Sequence, residues 1–295
     1  MAKVWCDMAR PNHIRQPGPE QQPRIVAVPG LGRAFRMTLP AGKGLLEAAQ
    51  AGFIAAGFPG GTLTLGPLAL GPLAYVMPAL SQDGRNAAFY SDTFRPAGIT
   101  RLEAGALTLG QRDGAPFFHC HALWREADGK RSGGHILPDE AVLAEPAEVE
   151  AFGIDGAMFD AIPDPETNFR LFGPVAAPVM GAMAETRAFA LRLRPNQCFH
   201  AALEQFVAET GWDGARIRGG VGSLIGSAFA DGTVTEPFAT EVYITRGTVQ
   251  RQADGRFQAA IEAGLVDYTG GMATGELARG ANPVLMTFEL ILSEA

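Results

Sequence analysis

An α+β architecture written twice is the fold class that this sequence predicts. Three observations lead there: an internal repeat, one helical apolar period per repeat, and short strand signals punctuated by Gly and Pro. The chain has 295 residues, of which 47% are hydrophobic and 19% charged. That is enough apolar surface for one large domain or two of ordinary size.

The first unit opens with "RMTLPAGKGLLEAAQAGFIAAGFPGGTLTLGPLALG" and the second with "LRLRPNQCFHAALEQFVAETGWDGARIRGGVGSLIG". Each reads as an alternating strand, a Pro/Gly/Asn break, a helix and a Gly-rich apolar run. Leu45, Leu46, Ala49, Phe53 and Ile54 recur at helical spacing in the first, and Phe199, Leu203, Phe206 and Val207 in the second. Gly57 and Gly211 stand where the helices are expected to stop. Downstream, "DGAPFFHCHALWREADGKRSGGHIL" aligns with "DGRFQAAIEAGLVDYTGGMATGEL" at a constant shift, and each copy closes on a strand-like run. The expected organisation is an N-terminal arm over 1–34, a first domain over 35–154, a linker over 155–186 and a second domain over 187–295.

Composition excludes several function classes. The net charge is -7 with a pI near 5.3, and no cationic stripe occurs, which disfavours nucleic acid as a partner. Cys6, Cys120 and Cys198 are too few and too scattered for a disulfide framework, so free thiols in the cytoplasm are expected. The N-terminus lacks the apolar core of a leader peptide, and the apolar stretch after residue 55 is cut by Gly and Pro, so no membrane span is expected. "GGVGSLIG" lacks the ending of a phosphate-binding loop, and no GxSxG nucleophile elbow is present.

The segment "HCHALWREADGKRSGGHIL" holds three of the five histidines. On a strand, His119 and His121 share one face and Cys120 takes the other. A three-residue turn at Ala127-Asp128-Gly129 sets Glu126 against Lys130, Leu123 against Gly133 and His121 against His135. Three imidazoles then converge from two neighbouring strands, an arrangement suited to a divalent transition metal, zinc first among them, with a fourth position open. The alternative is a set of histidines satisfied by carbonyl groups; a one-residue slip of register would turn His135 away. In the second copy the matched positions are Ala260, Glu262 and Glu276, which read as solvated acids. A catalytic centre also needs an acid or base, and Arg101 and Glu103 in "ITRLEAG" are the candidates, beside an ordinary salt-bridge reading. Glu150 aligns with Glu289 in this reading, and His13 and His200 read as surface residues.

The order strand, helix, Gly-rich strand and "HCHALWREADGKRSGGHIL" resembles the plants-and-prokaryotes-conserved (PPC) domain, domain of unknown function 296. The second copy resembles a degenerate member, and the two cover about four fifths of the chain. The resemblance implies a mainly antiparallel sheet with a helix, assembly as a homo-oligomer, trimers above all, and metal ligation by His119, His121 and His135. The fold is also similar to that of acetolactate decarboxylase, whose HxH…H triad has a shorter spacing. The Arg-Gly-Arg-Pro core through which plant relatives bind DNA does not occur. The resulting expectation is a metal-dependent lyase or hydrolase acting on a small carbonyl or carboxylate compound; the alternative is a non-catalytic ligand-binding or regulatory module. The acidic charge balance makes one further expectation testable: an electrophoretic mobility-shift assay at low salt, the most permissive condition, should retard no duplex DNA.

Overall fold

The computed structural model describes residues 13–295; Cys6 lies outside the described residues. The first half of the chain forms β1 (Ile25–Leu39), α1 (Leu45–Ala55), β2 (Gly61–Leu65), β3 (Leu68–Val76), β4 (Pro78–Leu80), β5 (Ala88–Tyr90), β6 (Thr100–Arg112), β7 (Ala115–Arg125), β8 (Arg131–Leu143) and β9 (Ala147–Asp155). A hairpin, β10 (Ala157–Pro163) and β11 (Arg170–Ala176), follows within the stretch read as a linker. The second half forms β12 (Thr186–Leu193), α2 (Phe199–Thr210), β13 (Gly214–Ala228), β14 (Val234–Arg251), β15 (Phe257–Asp267), β16 (Met272–Glu276) and β17 (Val284–Glu294).

The balanced α+β class is corrected by these elements. The protein is about 60% strand and 8% helix, with a barrel-like sheet. Both expected helices form, but the strands between them are far longer than their turn-like punctuation suggested. Gly219, Gly220 and Gly226 lie inside β13, where register shifts rather than turns absorb them. Glycine inside a strand marks a bulge here, and the ladder continues on both sides of it.

One sheet runs in the order β16-β15-β14-β13-β17-β12-β1-β9-β2-β6, then β3-β8-β7, and β7 pairs back onto β6 to close a ring. The order β12, β17, β13, β14, β15, β16 repeats the order β1, β9, β2, β6, β7, β8. Antiparallel pairing of β1 with β12, from Ile25↔Leu193 to Gly32↔Thr186, joins the halves. β1 therefore begins within the segment read as an arm.

Alternation then sorts the side chains into layers. In the first half, Phe118, Cys120, Ala122 and Trp124 of β7 pack toward α1, whose Leu45, Ala48, Ala49 and Phe53 are buried at helical spacing. In the second, Phe257, Ala259, Ile261 and Ala263 of β15 join the cluster around Phe199, Leu203 and Val207 of α2. α1 is followed by Gly57 (φ 86°), and α2 is capped by Gly211 in the left-handed conformation. The strands of the two halves fold this sheet into two facing sheet layers, which meet through Ala106, Leu123, Val221, Tyr243 and Val266. The layers are helix, sheet, sheet, helix, and the histidines lie between the sheets. Among the described residues no helix is long and apolar enough to cross a membrane.

Gly134, next to His135, sits where β8 presses on β3. A Cβ there would stand 2.4 Å from the Val76 carbonyl oxygen, a backbone atom that cannot rotate away. At the matched Gly275, which has nearly the same φ (156° against 158°), a Cβ would approach only the Phe229 ring, at 3.3 Å. Gly134→Ala is therefore expected to destabilise the fold by about 1–3 kcal/mol, and Gly275→Ala by clearly less, as read from denaturant unfolding midpoints.

Candidate metal centre

The centre is built by one hairpin and covered by the other half. β7 and β8 pair with His121 directly opposite His135, Leu123 opposite Gly133 and Arg125 opposite Arg131. The turn between them closes with Glu126 N–H donating to the Lys130 carbonyl (2.8 Å) and Gly129 N–H to the Glu126 carbonyl (2.9 Å), with Gly129 at φ 89°. His119 lies next on the same face. The imidazole centroids are 4.5 Å apart for His119 and His121, 4.9 Å for His119 and His135, and 5.3 Å for His121 and His135. The structure thus brings together all three histidines singled out by spacing.

It adds a carboxylate from the second half. Glu241 of β14 joins the histidines, and one donor atom from each of the four residues lies within 4.8 Å of all the others. Glu241 Oε2 is 2.5 Å from His121 Nε2. His121 Nδ1 is 2.9 Å from the Val242 carbonyl, to which it can only donate, so its Nε2 is the nitrogen left for the cluster. His119 contacts Glu289 Oε1 of β17 through Nδ1 and faces His121 Nε2 through its own Nε2 at 2.9 Å. His135 Nδ1 and Glu289 Oε2 are buried with no hydrogen-bond partner among the described residues.

This donor set fits a cation. With Nδ1 of His121 committed to Val242, its Nε2 in the neutral ring carries a lone pair, yet it faces both His119 Nε2 and a Glu241 oxygen. Such lone pairs repel unless a proton or a metal ion lies between them. Burial, together with the neighbouring histidines, holds His119 and His135 well below the usual imidazole range, so both are neutral near pH 7, the form a metal takes. His121 is different: burial works to lower its pKa, but the charge and hydrogen bond of Glu241 and the Val242 carbonyl outweigh it and leave it raised. Burial pushes the Glu289 carboxyl up to about 8. Without a cation the cluster therefore retains protons at His121 and Glu289, and a divalent ion would replace them.

Arg101 and Glu103 are not part of this centre. Arg101 is ion-paired with Glu145 at 2.9 Å, and Glu103 is bracketed by Arg125 at 3.2 Å and Arg131 at 2.7 Å. Arg101 stands seven residues along β6 from Thr108, the partner of His119, roughly 23 Å at the rise of a strand. Glu262 and Glu276 are paired in register as His121 and His135 are, but Glu276 is exposed and Glu262 binds the exposed Arg246. His200, expected at the surface, is buried; His13 is exposed. Strand register also corrects the match for Glu289. It lies opposite Arg192 as Glu148, not Glu150, lies opposite Thr38.

Glu241 and Glu289 went unrecognised as site residues. For Glu289 a signal existed: it is the single acid inside "VLMTFELIL", where a charge has no reason to be buried without a partner. Glu241, in "TEVYI", carries no comparable mark.

Comparison with known proteins finds similar solved structures that each cover about half of this chain. Half of this chain is similar to a PPC protein. The PPC protein of Pyrococcus horikoshii aligns with 19% identity and a TM-score of 0.40, over 51% of this chain and 97% of its own. A metal-containing protein from Archaeoglobus fulgidus aligns with 20% identity and a TM-score of 0.37, over 48% and 94%. A third, from Ralstonia eutropha and described as a putative DNA-binding protein, aligns with 16% identity and a TM-score of 0.35, over 47% and 89%. No family model and no curated protein matches the sequence.

The proton inventory has a measurable consequence. Zinc binding near pH 7 should release protons, seen as a dependence of calorimetric heat on buffer ionisation enthalpy. Affinity should fall as the pH drops through about 8 and on through the raised His121 range, because protons on Glu289 and His121 compete with the ion. Glu289→Gln, which removes the carboxylate behind His119, should weaken binding by roughly 10- to 100-fold.

Proposed function

We propose that this chain is a tandem pair of PPC-like units, with domains near 35–154 and 187–295, that binds one divalent transition metal, zinc foremost. His119, His121 and His135 would hold the ion, with Glu241 as a fourth donor. The reading rests on one observation: four donors, three buried and His119 half-buried, from three strands within 4.8 Å of one another, with His119 Nε2 and His121 Nε2 facing at 2.9 Å. The matched strand orders of the two halves and the shared register at 121↔135 and 262↔276 support the tandem organisation.

The chemistry we favour is a metal-dependent lyase or hydrolase reaction on a small carbonyl or carboxylate compound. A cleft of about 520 Å³ reaches His119 and His135. The Tyr90 ring packs 5.4 Å from His135, and Phe172 lies 6.4 Å from His119, giving the cleft apolar walls beside the imidazoles. Arg112, stacked over Phe117 at 5.5 Å, lines the same cleft and offers a cation to a carboxylate; Arg170 beside it is paired with Asp113 at 2.6 Å. A bound ion would polarise a carbonyl or activate water there.

Glu241 favours a second reading. If it occupies the fourth position, the site is closed as structural sites are, and the protein is a non-catalytic binding or regulatory module. Either reading is compatible with a cytoplasmic homo-oligomer, a trimer being the first candidate; the histidine cluster itself is complete within one chain.

Elemental analysis of untagged protein should find close to one transition metal per chain, lost in His121→Ala. No metal after zinc or manganese supplementation would remove both readings. In cobalt-substituted protein, small carboxylates should shift the visible bands if a coordination position is open; unmoved bands would favour the binding module.

A further inference from the structure

A second concave site lies between the two sheets and shares no lining residue with the histidine cleft. It is a groove of about 730 Å³ where the start of β13 and the end of β14 face β1, β2 and β9. Four arginines reach it: Arg36, Arg216, Arg218 and Arg246. Two are neutralised, Arg36 by Glu150 at 3.3 Å and Arg246 by Glu262. Arg216 and Arg218 have no ion pair among the described residues, although the chain carries 31 acidic residues against 24 Lys and Arg.

Their setting is organised rather than incidental. They stand two residues apart along β13, a spacing of roughly 7 Å that puts both on one face. Arg218 is half-buried, with its guanidinium over the Phe152 ring at 5.0 Å and its Nε donating to Ser293 Oγ at 2.8 Å. Its two terminal nitrogens have no hydrogen-bond partner among the described residues. Burial and the neighbouring Arg216 both act against its charge. Thr64 and Thr248 add hydroxyl groups to the lining. Arg216 is exposed, whereas Arg218 is fixed by Ser293 and Phe152. Two uncompensated guanidiniums on one strand face gain most from a dianion that both can fork onto; a single carboxylate would leave one charge over. The groove is also larger than an isolated ion.

We infer that this groove binds a small phosphate-bearing molecule, gripped by Arg216 and Arg218 and independent of the metal centre. Isothermal titration of the full chain with inorganic pyrophosphate tests it, with metal removed by chelation. Saturable binding is expected at one site per chain. Arg216→Ala and Arg218→Lys should each weaken it about ten-fold or more, the second because an ammonium keeps the charge but loses the fork. Arg256→Ala, a surface arginine paired with Asp254 elsewhere, should change nothing. Circular dichroism of each variant separates lost binding from lost folding. Absence of saturable binding at millimolar pyrophosphate would overturn the inference, as would an equal loss in Arg256→Ala. Citrate binding as tightly as pyrophosphate would overturn the phosphate class. Binding that appears only with metal, and vanishes in His121→Ala, would assign the anion to the histidine cluster instead.

Discussion

The alternation of β7 between two layers is the constraint on which the rest depends. Phe118, Cys120, Ala122 and Trp124 must enter the core beneath α1, and that commitment sends His119, His121 and Leu123 to the other face. Because the sheet of the second half covers that face, the histidines end up buried between sheets rather than in water. A slip of one residue would exchange the two sets, placing imidazoles against α1 and aromatic rings against Glu241. Burial of Phe118 and Trp124, worth about 1.5–3 kcal/mol for a large apolar side chain, holds the register against that exchange. The metal-ligand geometry is thus secured by residues that never touch it.

The same covering raises an electrostatic problem that the site resolves with paired groups. Three imidazoles and two carboxylates share one buried space, and isolated ions there would be costly. Each has a counterpart: Val242 for Nδ1 of His121, Glu289 for Nδ1 of His119, Glu241 for the inward face. What is left over, the facing nitrogens and the orphaned His135 Nδ1, is the capacity for a cation. The second half shows the converse. Its matched strand pair carries Glu262 and Glu276 on the equivalent face, but that end is uncovered, and the acids remain solvated beside Arg246. Register alone does not make a site; burial by a partner sheet does.

What the amino-acid sequence determined by itself was local. The "EADGK" turn, with glycine required at the left-handed position, dictated the pairing of His121 with His135, and two-residue alternation placed His119 beside them. Helical periodicity located α1 and α2, and Gly57 and Gly211 marked their ends. These features depend on neighbours a few residues away, so spacing reports them. Tertiary structure alone decided the rest. Glu241 and Glu289 lie more than a hundred residues from the hairpin and reach it because two sheets pack face to face, while Arg101 and Glu103, on the strand next to it, point to surface partners. The Gly-rich run of β13 is a strand with bulges, and the strand signals that read as short extend into long ladders held on both flanks, which is why a mostly β protein read as α+β. Contacts across a sheet-to-sheet interface carry no fixed spacing along the chain, so no periodicity could announce them.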